Sequence, residues 1–202
     1  MLSTLNDFNR TLKQATSRQD RLRFMRESIL HGTPYVFQNR ESEYFQFRTV
    51  VSNEFNIGFH EVFIVGSAKL GYSYHKGTMF SLNSDIDVVL VSPEKFESIL
   101  KLIREYDYQL VQGKIVLGQE AMEKYALFLR YLTRGWMRPD MLPFGLQGGQ
   151  LQDDWFDFFR SISHGKSVVG DYAVNAGLFK NYEYLERYYL ESIEKHYDTL
   201  RI

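Results

Sequence analysis

The sequence predicts an α+β fold, a small mixed sheet flanked by N- and C-terminal helices. Three observations predict it. Segments with apolar residues at helical spacing open and close the chain. Between them, "EVFIV" and "DIDVVLV" read as short strands. Strands and helices alternate without the regular rhythm of a doubly wound sheet. The 202 residues suit one unit. Residues 42–118 hold the expected core of the sheet, and residues 119–202 a helical C-terminal part with a place for a third strand.

Each element follows in order. Ser3 to Leu30 reads helical, with Leu5, Phe8, Leu12, then Leu22, Met25 and Ile29 at helical spacing, until "HGTP" breaks it. Ser42 to Phe55 is a second helix with Phe45, Val50 and Phe55 among its apolar positions, ended by "NIG". The strand "EVFIV" follows, then Gly-Ser, and "AKLGYSY" suits a short helix. In "DIDVVLV" the apolar face is Ile86, Val88 and Leu90. Ser92-Pro93 starts a helix through about Tyr106, since proline fits a first helical turn. "YQLVQGKIVL" suits a strand pair or hairpin, and Gln119 to Trp136 a helix. "RGWMRPDMLPFGLQGGQ" is a Pro/Gly-rich loop and the best internal boundary. "DDWFDFFRSIS" is a short helix with acidic residues at its start, "KSVVGDYAVNAGLF" a strand with turns, and Tyr182 to Leu200 the closing helix.

Composition narrows the function. Lys and Arg number 24 against 25 Asp and Glu, so bulk charge demands neither a nucleic-acid nor an anionic-membrane partner, leaving a local basic groove open. There are no cysteines, which excludes disulfides and thiolate zinc sites and fits a reducing cytoplasm, the expected location. The polar N-terminal stretch lacks the apolar run of a signal peptide. No segment approaches the roughly 20 apolar residues of a membrane span.

The chemistry concentrates in "VGSAKLGYSYHKGTMFSLNSDIDVVLV", Val65 to Val91. Gly66 lets backbone approach an anion closely. Ser67 adds a hydroxyl, and a helix starting there would add free N–H groups. Asp85 and Asp87 point the same way from one strand, roughly 7 Å apart along it. At neutral pH they repel, so a cation between them is expected, and hard oxygen ligands suit Mg²⁺ or Mn²⁺. In the spacer, Lys69 either reaches a phosphate or is a solvated helix lysine. His75 has no partner in sequence that would make it a ligand.

Together, an apolar strand, Gly-Ser, a spacer and Ser-Asp-Ile-Asp followed by apolar residues resemble the nucleotidyltransferase superfamily of DNA polymerase β, poly(A) polymerases and cyclic-oligonucleotide synthases. Gly66, Ser67, Ser84, Asp85 and Asp87 occupy the signature positions within Val62–Val91. The resemblance implies a polymerase β-like palm. It implies that Gly66 and Ser67, with Ser84 and Lys69 beside them, hold a nucleoside triphosphate, and that Asp85 and Asp87 hold divalent metal. A nucleoside monophosphate would pass to an acceptor hydroxyl: of a nucleotide, a nucleic-acid end or a protein. The "SDID" form looks most like the bacterial antiphage and minimal nucleotidyltransferase branches, which implies a defence or toxin–antitoxin setting. A catalytically silent member would instead bind nucleotide or a partner protein.

Active members of that family carry a third carboxylate on a later strand. Asp171 in "SVVGDYAVNA" is the first candidate, beside β-type apolar residues; Asp140, among prolines, is the second and Asp107 the third. The C-terminal segment interleaves Lys180, Tyr182, Tyr184, Arg187, Tyr188, Tyr189 and Lys195. They either pack the helix against the palm or stack on a base and contact phosphate.

Overall fold

The structure is a computed structural model describing residues 4–138, 141 and 149–201. It is a mixed α+β protein with a four-stranded sheet between two layers of helices. The N-terminal stretch forms two helices. α1 (Leu5–Gln14) is capped by the Thr4 hydroxyl, which accepts from the Asp7 N–H. Ser17 and Asp20 then form a capping box that restarts the chain as α2 (Arg18–Met25), which explains the break in the expected single run. A π-helical turn, Arg26–Leu30, leads through "HGTP" to α3 (Glu41–Phe55), closed by Asn56 in the left-handed region.

The sheet begins with β1 (Val62–Val65), followed by the one-turn helix α4 (Gly66–Leu70). The spacer carries a small hairpin, β2 (Tyr72–Ser73) with β3 (Thr78–Met79), where the sequence suggested helix through Tyr74. β4 (Ile86–Val91) runs into α5 (Pro93–Val111), whose first turn is capped by Ser92. "YQLV" continues α5, so no hairpin forms there. α6 (Gln119–Thr133) ends before Trp136, which instead enters β5 (Trp136–Met137). α7 (Gly149–Ser161), β6 (Val174–Phe179) and α8 (Tyr182–Thr199) complete the chain.

The strand order is β1-β4-β6-β5. β1 and β4 are antiparallel, β4 and β6 parallel, and β6 and β5 antiparallel. Alternation along β4 divides the core. Ile86, Val88 and Leu90 face α3, α5, α6 and α7, packing with Phe47, Val51, Phe96, Phe128 and Phe159. Val89 and Val91 face α1, α2 and α8, packing with Phe8, Leu12, Met25, Leu185 and Ile193. The sequence reading assigned β4 one apolar face; both faces are covered. Burying a valine side chain contributes about 1.5–3 kcal/mol, so Val89 and Val91 each help to hold the second layer. Asp87, on their side, lies where that layer stops. Among the described residues, no helix is long and apolar enough to cross a membrane.

Candidate functional site

Pairing of β1 with β4 sets Val65 opposite Asp87. The next residue, Gly66, has φ +64, and a β-carbon there would lie 2.6 Å from Asp87 Oδ2. The strand that ends in Gly-Ser is thereby brought against the strand that carries Asp-x-Asp. Asp85 lies just ahead of β4, after the turn at Leu82–Ser84. Both aspartates line a cleft of about 510 Å³ with Gly66, Trp136, Arg138 and Asn175.

Solvent reaches Asp87 through the mouth of the cleft, yet protein surrounds it closely. Burial first, and the charge of Asp85 second, push its carboxyl up to about 6, against the weaker pull of Lys76 and Arg138. Neither aspartate makes a hydrogen bond or ion pair among the described residues. Two unpaired, mutually repelling carboxylates lining one cleft are a donor set that fits one hard divalent cation. No group of three His, Cys, Asp or Glu side chains gathers round one point among the described residues, so a larger ligand set is not assembled there.

The sequence reading put Asp171 in that set, and the structure does not bring it to the pair. Asp171 lies in an exposed turn ahead of β6, where the His164 N–H donates to Tyr172 O at 2.8 Å and His164 Nδ1 sits 3.8 Å from Asp171 Oδ1. Along β6 the residue in register with Asp87 is Asn175, four positions later. The place beside the aspartates belongs to an amide. Asp140 lies outside the described residues. Asp107 is on α5 and accepts from the Tyr125 hydroxyl at 3.1 Å, joining α5 to α6 away from the cleft.

Lys69 is also corrected. It is 2% exposed, and its ammonium donates to the carbonyls of His31 and Gly32, the latter at 2.7 Å. It ties α4 to the end of the π-helical turn and does not line the cleft. Burial lowers its pKa to about 8. Ser67 borders a smaller, adjoining pocket of about 150 Å³ that shares Gly66, Tyr188 and Tyr189 with the cleft. Because α4 is a single turn, its dipole adds little. Ser84 serves a local turn, its Oγ accepting from the Ser81 N–H at 3.1 Å. His75 Nε2 meets Ser192 Oγ at 2.8 Å on α8.

Trp136, Arg138 and Asn175 carry no periodic signal in the sequence and were not anticipated. They reach the cleft because β6 pairs with β4 and β5 with β6. The indole of Trp136 lies over Gly177, where a β-carbon would come within 2.8 Å of Nε1. Comparison with protein-family models, with curated proteins and with solved structures gives no match for this chain. Fold and site together define a three-layer α+β protein with paired carboxylates at the open end of a central strand.

Proposed function

We propose that the protein is a metal-dependent nucleotidyltransferase on a polymerase β-like palm, passing a nucleoside monophosphate from a nucleoside triphosphate to an acceptor hydroxyl. One observation carries this reading: Gly66, at the end of β1, stands against Asp87 of β4. That is the juxtaposition the Gly-Ser and Asp-x-Asp signature needs, and sequence distance alone does not guarantee it.

Asp85 and Asp87 would hold Mg²⁺ or Mn²⁺, which when bound supplies charge neutralisation at phosphate oxygens. Gly66 keeps the space beside Asp87 clear of side-chain atoms, leaving backbone open to the triphosphate. Trp136 and Tyr188, both in the cleft wall, offer ring faces to a base. Positioning and electrostatics supply the rate enhancement. A bacterial antiphage or toxin–antitoxin role follows from the "SDID" resemblance.

Asn175 favours a second reading, a palm that binds nucleotide without turning it over. An amide in register with Asp87 neither accepts a proton from an attacking hydroxyl nor adds the negative charge of a third ligand. Calorimetry of Mg²⁺–ATP binding to wild type and Asp87→Ala tests the site, and turnover of labelled triphosphates separates the readings. Loss of binding in the variant with product formed by wild type supports transfer. Loss of binding without product supports the silent palm. Equal affinities would overturn both.

A further inference from the structure

Next to the aspartate cleft lies a groove of about 690 Å³ with a different character. One wall is the end of α6 and β5, with Arg134, Trp136 and Arg138. The other is one face of α8, where Tyr184, Arg187, Tyr188, Glu191 and Lys195 recur at helical spacing. Four cationic side chains thus face one carboxylate, in a chain whose net charge is −1. Arg134, Arg187 and Lys195 are exposed. None of these three makes an ion pair among the described residues.

Aromatic rings run between the charges. Tyr131 and Trp136 meet edge-on at 4.8 Å, and Trp136 and Tyr188 lie 5.2 Å apart. The two walls are held together by a close approach: a β-carbon on Gly135 would fall 2.3 Å from the Tyr184 ring. Trp136, Arg138 and Tyr188 belong to both groove and cleft, so the two are continuous. The basic and aromatic residues of the C-terminal segment therefore divide. Lys180 pairs with Glu97 at 2.6 Å, while Tyr184, Arg187, Tyr188 and Lys195 face the groove.

We propose that this groove binds a single-stranded polynucleotide and leads its end to Asp85 and Asp87. Cations interleaved with ring faces match alternating phosphates and bases. Arg187 and Lys195 stand about 12 Å apart along α8, further than the neighbouring phosphates of one triphosphate. An acidic peptide would use the cations but bring no bases to lie against Trp136 and Tyr188. Binding of the strand stands on the groove alone; its role as acceptor rests on the nucleotidyl-transfer reading of the cleft.

The test is anisotropy of a fluorescein-labelled 12-nucleotide single strand, RNA and DNA separately, between 50 and 200 mM salt, with tryptophan fluorescence followed in parallel in wild type and Trp136→Phe, which separates the signal of Trp136 from that of Trp155. Phosphate contacts by Arg134, Arg187 and Lys195 predict a slope of log K on log salt of about −2, at about −0.7 per contact. Arg187→Gln with Lys195→Gln should flatten the slope by about 1.4 and weaken binding at least tenfold at 100 mM salt. Both positions lie outside the aspartate cleft, so Mg²⁺–ATP affinity should not change. Quenching of Trp136 on binding supports stacking. Absence of saturable strand binding, a slope unaltered by the double variant, or equal displacement by polyglutamate would overturn the groove assignment. Strand binding without Mg²⁺–ATP binding keeps the groove and removes the transfer reading. Mg²⁺–ATP binding without strand binding does the reverse.

Discussion

A β-carbon on Gly66 would stand 2.6 Å from Oδ2 of Asp87, so the turn after β1 and the carboxylate on β4 compete for the same space. Gly66→Ala should therefore fail in two ways. The left-handed backbone at φ +64 costs a residue with a β-carbon about 1–2 kcal/mol, and Asp87 must swing away. For a chain of this size the strain corresponds to a melting-temperature drop of roughly 2–8 °C. Displacing Asp87 should weaken Mg²⁺–ATP binding at least tenfold. Adding Asp87→Ala restores the room but not the backbone geometry, so the two substitutions should be less than additive in stability. Thermal melts and calorimetry check this. A Gly66→Ala protein with wild-type melting and affinity would mean that the Asp87 carboxylate does not occupy this space.

Asp85 and Asp87 repel each other at neutral pH and have no cationic partner at bonding distance among the described residues. A divalent cation that binds the folded protein alone should stabilise it, by about 2.7 kcal/mol at a hundredfold excess over Kd. Mg²⁺ or Mn²⁺ should accordingly raise the melting temperature of wild type. Asp85→Asn/Asp87→Asn should melt higher than metal-free wild type and no longer respond to the ions. An equal response in the double variant would place the cation elsewhere.

Much of this arrangement was legible in the sequence, and the reasons differ by element. Apolar runs and alternation placed β1 and β4, and helical spacing placed α8, because each buries an apolar face; α3 forms where expected but buries Phe47, Val51 and Phe55 while Phe45 and Val50 are exposed. Gly66, Asp85 and Asp87 were legible because the turn and the strand alternation are local. The partner of Asp87 was not. Register between β4 and β6 depends on packing across 87 intervening positions, and a shift of four residues separates the expected Asp171 from the observed Asn175. Lys69 misled for a related reason. A lysine in a short helix is ordinarily solvated, and its burial follows from the path of His31 and Gly32, far away in sequence. The two-residue strands β2, β3 and β5 are too short to carry any period.

Lys69 gives the fold a pH signature. Its folded pKa is about 8, below the ordinary 10.5, because burial disfavours the ammonium. Below about 8 the side chain is charged in both states, and the folded protein bears the full cost of burying it. Between about 8 and 10.5 the unfolded chain binds more protons than the folded one, so this residue makes stability rise with pH. Lys69→Met loses the bonds to His31 and Gly32 but also the buried charge. Wild-type stability relative to Lys69→Met should therefore improve from pH 8 to 10 in denaturant titrations. A constant difference across that range would mean a solvated ammonium. Because Lys69 does not line the cleft, Mg²⁺–ATP affinity should be unchanged.

Asn175 decides how the cleft handles charge. It pairs in register with Asp87 across parallel strands, so Asn175→Asp would set a third carboxylate beside two that already repel. Without metal, like charges on neighbouring strands should cost about 0.2–1 kcal/mol, a drop of a few degrees at most for a chain of this length. With Mg²⁺ or Mn²⁺ present the sign should reverse, since a third anionic oxygen strengthens cation binding. The ion-induced rise in melting temperature should exceed that of wild type. Labelled triphosphate then separates two accounts of the wild-type amide. If wild type binds nucleotide without turnover and Asn175→Asp gains product, the amide is what silences the site. If wild type already transfers, the proton of the attacking hydroxyl leaves by another route, and Asn175→Asp should alter cation affinity more than rate. A variant whose cation response falls below that of wild type would show that residue 175 does not share the ion with Asp87, and would remove the register argument for its place in the site.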